Sequence, residues 1–192
     1  MDQKEIGEAL KPLSEETNFF YELGKFICAF AQVEAAMQGV LKRLAGVYDP
    51  RAIAIFGGET IGRVLEFMQR LLPLSAFNEE QKKEVTLLIS QVQAISSFRN
   101  ALIHRPATIT ENGFVSFNIN KTKTLQTLER LKFQLEDLRN ATEDLDCIEK
   151  RASIVFVPPD MKALKDEHLQ RLFAPWRYKP LEPEKQLSNP QP

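Results

Sequence analysis

Residues 14–46 read SEETNFFYELGKFICAFAQVEAAMQGVLKRLAG, and the spacing of their apolar residues decides the fold class. Ser14 suits a helix N-cap, because its hydroxyl can accept from a backbone N–H that the first turn leaves unpaired. Beyond it, Phe19, Leu23, Phe26, Phe30, Val33, Met37, Leu41 and Leu44 recur at three- and four-residue steps. That period places them on one stripe of a helix of roughly eight turns, ending near Gly46. A stripe so long needs further helices to cover it.

The rest of the chain supplies them. A short helix is expected over residues 50–56, stopped by Gly57-Gly58. Thr60 opens another, with Ile61, Val64, Leu65, Met68 and Leu72 inward and Pro73 ending it. Asn78 can cap a long helix running to about His104, which Pro106 forbids to continue. The segments 108–111 and 114–117 then alternate as strands around Asn112-Gly113, a dipeptide suited to a two-residue hairpin turn. A last long helix is expected over residues 122–151, with Leu128, Leu131, Leu135, Leu138 and Leu145 on its stripe. After Pro158-Pro159, Asp160 can cap a short amphipathic helix bearing Met161, Leu164, His168 and Leu172.

The expected fold is therefore all-α, an antiparallel bundle of three long helices and one shorter one, with a small β-hairpin before the last long helix. The expected organisation is an extension over 1–13, the bundle over 14–157, the amphipathic helix over 158–174, and a proline-rich, polar, disordered tail over 175–192. The first and last long stripes exceed what such a core covers, so a homodimer burying the surplus is expected.

Composition narrows the function classes. The formal charge is −1, so any contact with a polyanion must come from a local patch. No apolar run approaches the roughly 20 residues of a membrane span, and the N-terminus does not read as a secretory signal. Cys28 and Cys147 lack ligand spacing and read as reduced thiols, pointing to the cytoplasm. No His, Cys and carboxylate grouping has metal-site spacing, and no cofactor motif is present. Gly57-Gly58 with Thr60 lacks the Lys-Ser/Thr of a phosphate loop. His168 reads as a packing residue, and the dispersed phenylalanines read as core.

One helix breaks its own pattern. The inward stripe of the 78–104 helix reads Val85, Ile89, Val92, Ser96, Arg99, Ile103, which puts Arg99 in the middle of an apolar face. An unpaired buried guanidinium costs several kcal/mol, so Arg99 must have a partner or face a groove. Asn100 and His104 are four apart and share a face at the stripe's edge. Glu34, at the edge of the first helix's stripe, is the best internal partner for Arg99. Plain roles are available too: His104 and Arg105 suit a helix C-terminus, where cations meet the negative end of the dipole, and Arg99 with Glu34 would make a structural pair.

The segment Phe98-Arg99-Asn100-Ala101-Leu102-Ile103-His104 resembles the Arg-x4-6-His motif of HEPN-family proteins, including the Asn that often follows the Arg. The likeness extends over residues 14–151: a long first helix with an inward Glu, the motif ending a later long helix, and another long helix after it. Arg105 and Pro106 directly after His104, and the hairpin that follows, depart from the pattern. HEPN proteins are compact helical bundles, typically dimeric, and many are toxin or antiviral-defence ribonucleases.

The resemblance implies metal-independent RNA cleavage with Arg99 and His104 as the catalytic pair, Asn100 and Glu34 in support, and a cognate antitoxin or regulatory protein as a further partner. The chemistry suits the residue types. Attack of an RNA 2′-hydroxyl on the adjacent phosphorus leaves a 2′,3′-cyclic phosphate and a 5′-hydroxyl, and needs a proton carrier that imidazole can be. It also needs a fixed cation against the charge building on the phosphate oxygens. Arg105, Lys121 and Lys123 make the neighbourhood locally basic and are candidate RNA contacts. The alternatives are a non-catalytic HEPN-like module that binds a nucleotide, RNA or protein, and a helical interaction protein with Arg99 and Glu34 as a structural pair.

Overall fold

A computed structural model describes residues 14–47, 50–105, 107–110, 113–118, 129–156, 172 and 175–185. It contains α1 (Glu15–Leu44), α2 (Arg51–Phe56), α3 (Ile61–Leu71), a 3-10 turn (Leu72–Leu74), α4 (Glu79–His104), β1 (Ala107–Thr110), β2 (Gly113–Phe117), β3 (Glu129–Phe133), α5 (Leu135–Ile154) and β4 (Glu184–Lys185). The molecule is a helical bundle with an antiparallel hairpin before its last helix, as the periodicity implies, and β3 before that helix and β4 after it extend the hairpin to four strands.

The helix limits follow from local chemistry. Ser14 Oγ accepts from Thr17 N, and Asn78 and Gln81 form a reciprocal capping box at the start of α4. Beyond α1, Gly46 takes a φ of 63°. Its N–H donates to Arg43 O and that of Val47 to Lys42 O, which closes the helix with the paired bonds of a left-handed C-terminal turn. Phe26, Phe30, Met37 and Leu41 of α1 are fully or almost fully buried. They share the core with Leu65 and Met68 of α3, Leu88 and Ile95 of α4, and Leu138, Leu145 and Ile148 of α5.

Three expectations need correction. The hairpin register pairs Thr110 with Gly113, so β1 ends and β2 begins one position earlier than expected. Gly113 opens β2 with a φ of 110°, a region that side chains disfavour, so the glycine serves the strand's first position.

The last long helix begins at Leu135 rather than near 122. Leu131 and Phe133 are buried on alternate positions of β3 and pair across to Ser116 and Phe114. A leucine at 131 fits a period of two as well as a period of 3.6, and the bond from Gln134 N to Asp137 Oδ2 starts the helix afresh.

The stretch 175–185, expected to be disordered, lies along the bundle as an arm. Tyr178 is 2% exposed, its ring 5.5 Å from that of Phe98, and β4 adds to the sheet next to β3. The expectations for Lys121, Lys123, His168 and most of the 158–174 helix lie outside the described residues.

Aromatic rings join these parts. Phe19 of α1 stacks on Phe114 of β2 at 4.5 Å, Phe114 on Phe133 of β3, and Phe133 meets the edge of Phe98 on α4. Such pairs add to the area they bury, so the sheet is fastened to the half of α4 that carries the motif.

Candidate functional site

The packing of α4 decides where the motif faces. In its first half the buried residues are Val85, Leu88, Ile89 and Val92, as the stripe implies. In its second half they are Ile95, Phe98, Ala101 and Leu102, one residue earlier than Ser96, Arg99 and Ile103. One residue is about 100° of rotation. The sheet and the arm both press on Phe98, and Ser116 Oγ donates to Ala101 O at 3.4 Å, so the buried face turns toward them.

Arg99 is consequently half-buried beside the core rather than within it, and Ile103 is 43% exposed. Asn100 and His104 are exposed. The guanidinium of Arg99 lies 5.6 Å from the Phe30 ring centroid, and its Nη1 donates to Asn100 Oδ1 at 3.1 Å. A cation over an aromatic face, steered by an amide oxygen, keeps its charge. Glu34 is half-buried one turn along α1 from Phe30. Among the described residues no ion pair joins it to Arg99, which corrects the expected pairing.

The structure thus brings Arg99, Asn100 and His104 to the outer side of the last turns of α4. Arg105 caps the helix on a different side: its Nη2 is 3.5 Å from Glu129 Oε2, and it lines a cavity of about 300 Å3 between α4, β3 and the arm. Among the described residues, no group of three His, Cys, Asp or Glu could hold a metal ion. No described helix is long and apolar enough to cross a membrane.

Two partly buried ion-pair clusters hold the frame. Glu22 on α1 accepts from Arg139 Nε on α5 and from Lys25 Nζ, each at 3.0 Å. Burial alone pulls its carboxyl up, but these hydrogen bonds and positive charges bring it below the usual carboxylate value. Arg151 on α5, 7% exposed, donates to Glu84 Oε1 at 2.7 Å and Gln91 Oε1 at 2.9 Å on α4.

The arm's anchors were not found by sequence reasoning. Asp144 on α5 accepts from the backbone N–H groups of Arg177 at 3.0 Å and Tyr178 at 2.6 Å, while Arg177 also pairs with Glu143. Burial pushes the Asp144 carboxyl up, with those two N–H groups and Arg151 opposing. The signal was Trp176 and Tyr178, two large rings in a stretch read only for its prolines. Compared with family models, curated proteins and solved structures, the chain gives no match.

Proposed function

We propose that this protein is a metal-independent endoribonuclease of HEPN type, acting as a homodimer with Arg99 and His104 as catalytic residues. The observation that carries the reading is the state of Arg99: a guanidinium beside solvent, held by Phe30 and Asn100, with no carboxylate salt bridge among the described residues. A structural arginine has its charge met by an acid, as Arg151 does with Glu84. An arginine held by an aromatic face and an amide keeps its donors for an anion.

In this reading Arg99 stabilises the charge that develops on the non-bridging oxygens as the 2′-oxygen attacks phosphorus. His104 donates a proton to the departing 5′-oxygen, and a 2′,3′-cyclic phosphate remains. The 2′-hydroxyl proton passes to a base. Arg99 and His104 lie five residues apart, about 140° around an ideal helix, so one copy presents them divergently. Two copies with their exposed motif faces together, Ile103 included, would supply both groups to one phosphate and a second imidazole as the base.

Incubation of the purified protein with RNA in EDTA, followed by end-group analysis, tests the proposal. Cyclic-phosphate and 5′-hydroxyl ends are expected. Intact RNA at concentrations where the protein is dimeric would favour the binding-module reading instead.

A further inference from the structure

The sheet has two faces, and the bundle uses one of them. Phe114 and Ser116 of β2, with Leu131 and Phe133 of β3, turn inward and are buried. Alternation along the strands puts Val115, Phe117, Arg130 and Lys132 on the outer face. Val115 and Phe117 are partly buried, yet neither belongs to the core or packs against it. Thr108 and Lys132 are exposed, so solvent reaches this face.

Two side chains here lack the partners that their kind finds elsewhere in the molecule. Every other described phenylalanine stands in an aromatic pair, and Phe117 stands in none. Directly opposite it across the β2–β3 ladder is Arg130, whose Nε is buried with no hydrogen-bond partner. Glu184 of β4 lies opposite Arg130 on the other side, but its carboxylate pairs with Lys132 Nζ at 3.0 Å. Among the described residues Arg130 has no ion pair. A donor withdrawn from water without an acceptor is costly, and an oxyanion satisfies Nε and a neighbouring Nη together.

Phe117 distinguishes the anion. A carboxylate would answer the guanidinium alone, whereas a nucleotide brings a phosphate and a flat base on one sugar. Adjacent strands are about 4.8 Å apart, a spacing that a sugar can bridge. We infer that the outer face of the sheet binds single-stranded RNA, with one phosphate on Arg130 and the adjoining base stacked on Phe117. In a duplex the bases stack on one another and cannot reach the ring. The sheet is joined to the motif helix by its first strand, since β1 opens three residues after His104. The phosphate-and-base chemistry stands without the ribonuclease reading, and only the choice of RNA rests on it.

The full-length protein in EDTA is titrated against a labelled 2′-O-methyl oligonucleotide, which cannot be cleaved, with 2-aminopurine at one internal position. Anisotropy reads binding, and quenching of the 2-aminopurine reads stacking. The single strand should bind at least tenfold more tightly than the same sequence in a duplex. Arg130→Gln, checked for wild-type circular dichroism, should raise Kd at least tenfold and lower the slope of log Kd against log salt by about 0.7. Arg130→Lys keeps the charge but not the fork, and should lose at least threefold. Phe117→Leu should lose at least fivefold together with the quenching, while Phe117→Tyr, which keeps a flat ring, should retain both. Arg51→Gln, an exposed charge on α2, should bind like wild type. No binding of the single strand, equal binding of the duplex, tighter binding of the matching DNA strand, or folded Arg130 and Phe117→Leu variants that bind like wild type would overturn the inference. Because the probe is never cut, a protein that binds it but leaves RNA intact would sink the ribonuclease reading alone.

Discussion

The Tyr178 ring lies against Phe98 at 5.5 Å and 21°, so the C-terminal arm grips α4 at the residue next to Arg99. Tyr178 is almost fully buried there, and Asp144 holds its backbone N–H from α5. Tyr178→Ala removes the ring and leaves a cavity, at a cost of about 3 kcal/mol by analogy with other large aromatic truncations. A lower urea midpoint and faster proteolysis within residues 175–185 are expected. An unchanged midpoint would show that the arm does not support the bundle.

The same ring gives the protein an alkaline signature. Burial pushes the Tyr178 phenol up to about 12, with the charge of Asp137 adding and a Leu181 backbone hydrogen bond opposing. The folded state favours the neutral phenol, so this stabilisation is complete below the ordinary value of about 10 and is lost as pH rises through the folded value. Absorbance at 295 nm should show one of the three tyrosines titrating near pH 12, a step absent from Tyr178→Phe.

Acid acts through Glu22, where the sign is opposite. The folded carboxyl titrates below its ordinary value, so its contribution is present above about 4.5 and is lost as pH falls through the folded value. Glu22→Gln should lower stability at pH 7 by about 1–2 kcal/mol, since charged hydrogen bonds become neutral ones and Arg139 is partly exposed. As pH falls through the folded value, the variant and wild type should converge. Chemical denaturation across that range reads both effects.

Two arginines separate structure from chemistry. Arg151→Ala strands Glu84 and Gln91 at the α4–α5 contact and should cost about 3–5 kcal/mol. Arg99→Ala gives up a half-exposed contact with Phe30 and one hydrogen bond to Asn100, which should cost about 1 kcal/mol. Thermal melts of the two variants compare them directly. A loss at Arg99 as large as that at Arg151 would make Arg99 a structural residue.

Much of this fold was legible in local signals. Ser14, Asn78, Gly57 and Pro73 mark helix ends by caps and breakers that act within a few residues. What escaped depended on distant partners. Leu131 fits strand and helix periods alike, and its pairing with Ser116 decides between them. The arm's prolines masked the two rings that anchor it.

The position of Arg99 was misjudged for the same reason: the α4 stripe extrapolates correctly only where the same neighbours continue. Phe133 and Tyr178 take over at Phe98 and turn the buried face by about one residue. Arg99 draws notice all the same, because an arginine beside an apolar stripe stands out in either register. The Asp144 clamp and the Arg105 cavity exist only once α4, α5, β3 and the arm have come together.

The most direct test is RNA cleavage in EDTA at a dimeric protein concentration, with wild type beside His104→Ala. His104 is exposed at the end of α4, so its removal should leave the fold intact. Wild type should yield 2′,3′-cyclic phosphate and 5′-hydroxyl ends, and the variant should lose at least a hundredfold in rate, within the range for a general acid. RNA that stays whole with wild type, or is cut equally by His104→Ala, would contradict the assignment.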